Sequence, residues 1–179
     1  MRRRSAIAAA LLAIGALSGV AAYERAGSNG ADWQEIAWPF PRDGWPAGRA
    51  FRCDGGECRG IEVYFRPKLG FCNCDSGVAD DDEVDRVSDL DLISERFVPL
   101  RTGEPIRVAG MAGRVRAYDL RARGDAPHLA VGIAVSHRCD LLVAVAHGAA
   151  TADDVQRFAT ALLNANEIRR WVQSAMQTR

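Results

Sequence analysis

The sequence predicts an α+β fold: one domain, mainly an antiparallel β-sheet packed against a long C-terminal helix or helix pair, with a Cys-rich hairpin and loop and a short acidic helix. Three observations carry this. Ile61, Val63 and Phe65 alternate with Glu62, Tyr64 and Arg66 at the two-residue period of a strand. Two apolar runs, residues 128–136 and 140–147, are joined only by the short polar connection His137-Arg138-Cys139, as in a central hairpin buried on most sides. Val155, Phe158, Ala159, Leu162 and Leu163 fall on one helical face, which Ile168, Trp171, Val172 and Met176 continue.

The chain of 179 residues is expected to open with an export signal, residues 1–22. Arg2, Arg3 and Arg4 supply its charged region, residues 6–17 its apolar core, and Val20-Ala21-Ala22 the small residues a signal peptidase needs. Ser5-Ala6 after the arginines fits the twin-arginine route poorly, so general secretion is expected. An uncleaved anchor is the competing reading, since the 18 residues from 6 to 23 just reach spanning length. Either way the body is expected outside the cytoplasm, periplasmic or secreted, and meets the membrane only through this segment if it is retained. Without the three arginines, 20 basic residues face 23 acidic ones, a net of −3. No basic block follows, which excludes a nucleic-acid binder of the usual electrostatic kind.

Residues 23–48 form an extended arm. Pro39, Pro41 and Pro46 each lack an N–H and forbid a helix, while Trp33, Trp38, Phe40 and Trp45 offer aromatic surface to pin the arm to the body. The domain proper, residues 49–179, starts with a hairpin over residues 50–66 that turns at Asp54-Gly55-Gly56-Glu57 and stops at Pro67. Asp80 then caps a short helix whose Val84, Val87 and Leu90 share a face. Short strands follow at residues 97–100 and 106–108, with turns at 102–105 and at Gly110 to Gly113. The run 114–120 alternates again, Val115 and Ala117 opposing a charged face. Thr151 to Asp154 is a capping box for the C-terminal helix, which residues 164–166 divide.

The chemistry sits in the cysteines and the acids. Five cysteines in an exported chain point first to disulfides. Cys53 and Cys58 bracket a four-residue hairpin loop and are expected to pair; Cys139 is expected to pair with Cys72 or Cys74. Fifteen arrangements of two bridges and one thiol exist, and Cys53 or Cys58 bridged to Cys72 or Cys74 competes. A metal reading uses the same residues: Cys72, Cys74, His137 and Cys139 offer three soft sulfurs and an imidazole, a donor set for copper or zinc.

Nine acids and one base, Arg86, lie between Asp75 and Glu95. Consecutive Asp80, Asp81, Asp82 and Glu83 do not alternate as a calcium loop requires. With Asp85 they read as a docking face for a basic surface on an envelope protein partner. Ser136, His137 and Asp140 are too crowded in sequence to form a triad with each other, and His128 and His147 bound apolar runs as structural residues. No phosphate loop, nucleophile elbow, zinc-protease helix or haem motif occurs. The expectation is a non-enzymatic exported binding or accessory protein of the cell envelope, with no cofactor. The alternatives are the copper or zinc protein and a hydrolase whose paired carboxylates only the fold would assemble.

Overall fold

The computed structural model describes residues 31–41, 43–58, 60–71, 73–120 and 128–176; the expected signal, residues 1–22, and Cys72 lie outside them. Eight strands form one antiparallel sheet: β1 (Trp33–Ile36), β2 (Arg49–Cys53), β3 (Glu62–Lys68), β4 (Phe97–Pro99), β5 (Glu104–Val108), β6 (Met111–Leu120), β7 (His128–His137) and β8 (Asp140–Gly148). Their order is β1-β2-β3-β8-β7-β6-β4, and β5 also pairs with β6. Helix α1 is Asp81–Val87, α2 is Ala152–Leu163 and α3 is Asn166–Met176. None of the described helices is long and apolar enough to cross a membrane.

The β7–β8 hairpin sits at the centre of the sheet, as its apolar runs require, and turns through Arg138 at φ 57°. One sheet face carries Phe51, Val63, Phe65, Ala117, Val131, Ile133, Leu142 and Ala144 against the apolar faces of α2 and α3. Thr151 caps α2 by accepting from the Asp154 N–H, and the chain breaks after Leu163 before α3 begins. This face is the main core.

The opposite face departs from the expected half-buried pattern. Tyr64, Arg66 and Lys68 of β3 are all buried, beneath the arm and α1. Ile36, Trp38 and Phe40 of the arm pack on Ala50, Tyr64, Tyr118 and Val145, while Val84 and Val87 of α1 pack on Ala134, Leu141 and Val143. The sheet is therefore covered on both sides, and the alternation in β3 separates two cores rather than core from water.

Three local expectations are corrected. Part of the arm, Trp33–Ile36, joins the sheet as edge strand β1, paired with β2. Pro67 does not end β3: pairing to β2 stops at Phe65 while pairing to β8 continues to Lys68, so proline occupies a half-edge position with no ladder to serve on one flank. Gly113 belongs to β6 and not to a turn, which is confined to Ala109 and Gly110, both at positive φ. A Cβ on Gly113 would collide with the Ala134 backbone of β7, so close strand approach is its role.

Candidate functional site

Beneath the arm, β3 carries two buried cations. Arg66 is 2% exposed and Lys68 6%. Both meet Asp89, which stands between α1 and the following single turn at φ 60°, a left-handed conformation that aspartate tolerates better than most residues. The Lys68 Nζ donates to Asp89 Oδ1 at 2.5 Å and to the Val87 carbonyl at 3.0 Å; the Arg66 Nε donates to Asp89 Oδ2 at 2.7 Å. A buried charge needs such partners, because desolvation otherwise costs several kcal/mol.

One carboxylate cannot neutralise two cations. The second comes from the arm: Arg66 donates through Nη1 and Nη2 to the two oxygens of Asp43, at 2.8 and 2.6 Å. This bidentate contact holds the Asp43 carboxyl down at about 2, helped by the Trp45 backbone N–H. Burial works against the charged guanidinium, yet the Asp43 and Asp89 bonds raise its pKa above the ordinary arginine value. Aromatic faces complete the setting, with Trp38 5.7 Å from the Arg66 guanidinium and Trp45 and Phe71 5.8 and 5.6 Å from the Lys68 ammonium. A cavity of about 310 Å³ opens beside these groups, bounded by Asp43, Trp45, Arg66, Lys68, Asp85 and Phe97 among others.

The acidic helix is less free than its composition suggests. Asp80 caps α1 by accepting from the Glu83 N–H at 2.9 Å. Asp81 turns inward to Arg114 Nη2 at 2.7 Å and the Gly103 N–H at 2.9 Å, and the Gly103 bond is first among the contacts that lower its pKa. Asp85 accepts from Arg116 Nη1 at 2.8 Å and the Tyr118 hydroxyl at 2.6 Å; burial, then that bond, pushes the Tyr118 pKa up. The charged face of β6 is thus the seat of α1. Of the five acids expected to dock a partner, Asp81 and Asp85 serve this internal contact, Glu83 pairs with Arg86 at 2.7 Å, and Asp80 and Asp82 are exposed together with Asp75.

Among the described residues, two disulfides staple the molecule. Cys53 and Cys58 pair with their Cα atoms 5.8 Å apart. Cys74 is the partner Cys139 takes, at a Cα separation of 4.2 Å, joining the loop before α1 to the β7–β8 turn. Asp140 supports that junction by accepting from the Gly70 N–H at 2.6 Å. The sulfurs of Cys74 and Cys139 are thereby bonded to one another, so a copper or zinc set with His137 and Cys72 requires reduction of that bond first. Among the described residues no three His, Cys, Asp or Glu side chains gather as a metal site. Ser136, His137 and Asp140 stand around the β7–β8 turn, where His137 and Asp140 pair in register.

Sequence reading missed Asp43, Arg66, Lys68 and Asp89. The one available signal was the run Tyr64, Arg66, Lys68 on a single face of β3, with Lys68 the only lysine in the chain. It also missed a second polar cluster at the far end of this face: Glu62 accepts from the Tyr64 hydroxyl and from Arg52 Nε at 2.6 Å, and lies 3.6 Å from His147 Nε2. Burial lowers the His147 pKa against the pull of Glu62, so the ring is neutral at pH 7. His147 stacks on Tyr64 at 5.8 Å.

Comparison with known proteins adds little to this geometry. No family model matches the chain. No curated protein matches it either. Among solved structures it is similar to PA94, a Pseudomonas aeruginosa protein of unknown function, at 12% identity over 83% of each chain and a TM-score of 0.32. Nothing is transferred from a likeness of that size.

Proposed function

We propose that this chain is an exported, non-enzymatic binding or accessory protein of the cell envelope that docks a basic partner surface. Residues 1–22 serve as its signal, and the mature protein is periplasmic or secreted. Two disulfides fit such an oxidising compartment.

The observation that supports the docking reading most is how the acidic segment is mounted. Asp81 and Asp85 fasten α1 to β6, and the Cys74–Cys139 bridge ties the preceding loop to the sheet. Asp75, Asp80 and Asp82 remain exposed on a support that is already fixed, so little conformational entropy is lost when a partner binds. Exposed carboxylates on a fixed frame favour an arginine-rich surface and fast, salt-sensitive association.

The test is chemical cross-linking in the intact envelope followed by capture at two salt concentrations. Asp75→Lys with Asp82→Lys is expected to remove the salt-sensitive partner, whereas Arg169→Glu, on α3 across the sheet, leaves it in place. An unchanged partner after the double reversal rejects the acidic face as the contact. Export is checked separately by the mass of the mature N-terminus, expected after Ala22.

A further inference from the structure

We propose that Arg66 and Lys68 form a binding site for a small monocarboxylate, and that Asp43 of the arm fills its carboxylate position in this structure. The site is distinct from the partner surface: Asp80, Asp82 and Glu83 do not line the cavity.

The charge balance gives the first reason. Asp89 is bonded by both cations and is itself buried, 9% exposed, at the end of α1. It belongs to the frame, and the Arg66, Lys68 and Asp89 trio carries one net positive charge. Asp43 answers that charge from a different kind of place. It lies outside every strand and helix, with Pro41 and Pro46 on either side and Gly44 at φ 93° next to it, and its side chain is 33% exposed. Its removal breaks no sheet ladder and no helix cap.

Geometry gives the second. The guanidinium presents Nη1 and Nη2 in parallel to the two Asp43 oxygens, the fork that a free carboxylate would enter in the same way. Beside it the cavity of about 310 Å³ reaches the size of small-ligand sites, and Trp45 and Phe97 offer aromatic surface within a mostly charged lining. The remaining charges limit the ligand. Asp85 is already answered by Arg116 and Tyr118, and Arg86 by Glu83, while Asp91 repels a second negative charge. One carboxylate on a compact apolar or aromatic body is the chemistry that fits, and benzoate is a suitable probe.

Asp43→Asn removes the negative charge from the anion position without touching the frame, leaving an amide that a carboxylate displaces more easily. An occupant weakened in this way raises the competent fraction, so the Asp43→Asn variant is expected to bind benzoate about tenfold or more tighter than the wild type by calorimetry. Trp45 in the cavity wall reports occupancy: in Asp43→Asn with the other tryptophans replaced by phenylalanine, benzoate is expected to change its fluorescence, while neutral benzamide does not. Adding Lys68→Gln to Asp43→Asn is expected to return benzoate affinity toward the wild-type value; should that double variant not fold by near-ultraviolet circular dichroism, the Trp45 response in the single variant decides. Equal benzoate affinity of wild type and Asp43→Asn, or an equal Trp45 response to benzamide, overturns the proposal. Asp75→Lys with Asp82→Lys leaves benzoate binding intact, so loss of the partner and loss of the ligand are told apart.

Discussion

Arg66 grips Asp43 and Asp89 at once, and these two carboxylates lie 23 residues to either side of it in the chain. A single guanidinium therefore ties the N-terminal arm, the central sheet and the end of the acidic helix together.

Acid should release the arm. The Asp43 carboxyl is lowered from 3.8 to about 2, so its contribution is fully present above pH 3.8 and is lost as pH falls through about 2. Protonating Asp43 removes the charge from its bidentate contact with Arg66, whose own pKa is raised above the ordinary arginine value. Trp45 packs on Phe71 at 5.1 Å and gives a local signal. Its fluorescence, in a chain with the other tryptophans replaced by phenylalanine, is expected to change between pH 4 and about 2, and the change should vanish in Asp43→Asn.

Asp89 should matter far more than Asp43. Asp89→Asn keeps a side chain that tolerates positive φ but leaves Lys68 and Arg66 short of their shared anion in a buried place. Breaking a buried ion pair from one side costs about 3–5 kcal/mol. Urea unfolding is expected to show a loss of that order, against less than about 1 kcal/mol for Asp82→Asn on the exposed side of α1.

The two disulfides should contribute unequally. Closing a 65-residue separation is worth about 4 kcal/mol in the chain-entropy model, and the five-residue separation of Cys53 and Cys58 about 2 kcal/mol. Paired serine replacement at Cys74 and Cys139 is expected to lower the denaturation midpoint more than replacement at Cys53 and Cys58. The opposite order would show that the long bridge does not act through the unfolded chain.

Gly113→Ala should be worse than Gly132→Ala. A Cβ at Gly113 runs into Ala134 backbone, which cannot move without shifting β7. At Gly132 the nearest atom is the Ser88 hydroxyl oxygen, 2.7 Å away, a side-chain end that can rotate, although the Ser88 Cβ follows at 2.9 Å. Overpacking costs about 1–3 kcal/mol, and Gly113→Ala belongs at or above the top of that range. Thermal unfolding of the two variants gives the comparison.

Much of the fold was legible because it is written in short-range periodicity. The two-residue alternation of 61–66 and the apolar runs around residue 138 produced β3, β7 and β8 directly. The three- and four-residue spacing of Val155 to Met176 produced α2 and α3, and Thr151 and Asp80 announced the starts of α2 and α1. Cys53 and Cys58 were the expected pair because they bracket a short hairpin loop, with a bridge from either of them to Cys72 or Cys74 as the competing arrangement. Cys139 could not choose between Cys72 and Cys74, because two residues on one side of an extended loop look alike until the loop is placed.

The candidate site was almost illegible for a related reason. By periodicity, Arg66 in β3 reads as solvent-facing, and only the arm and α1 laid over that face make it buried. Asp81 and Asp85 read as part of a free acidic surface until the register of β6 sets Arg114 and Arg116 beneath them. Local sequence was enough for most of the elements and their order, which depend on neighbours within a turn or a hairpin. Which charges are buried, and which partner each one meets, came from the assembled fold, because those contacts join residues 21 to 33 positions apart and depend on sheet register and on the left-handed turn at Asp89.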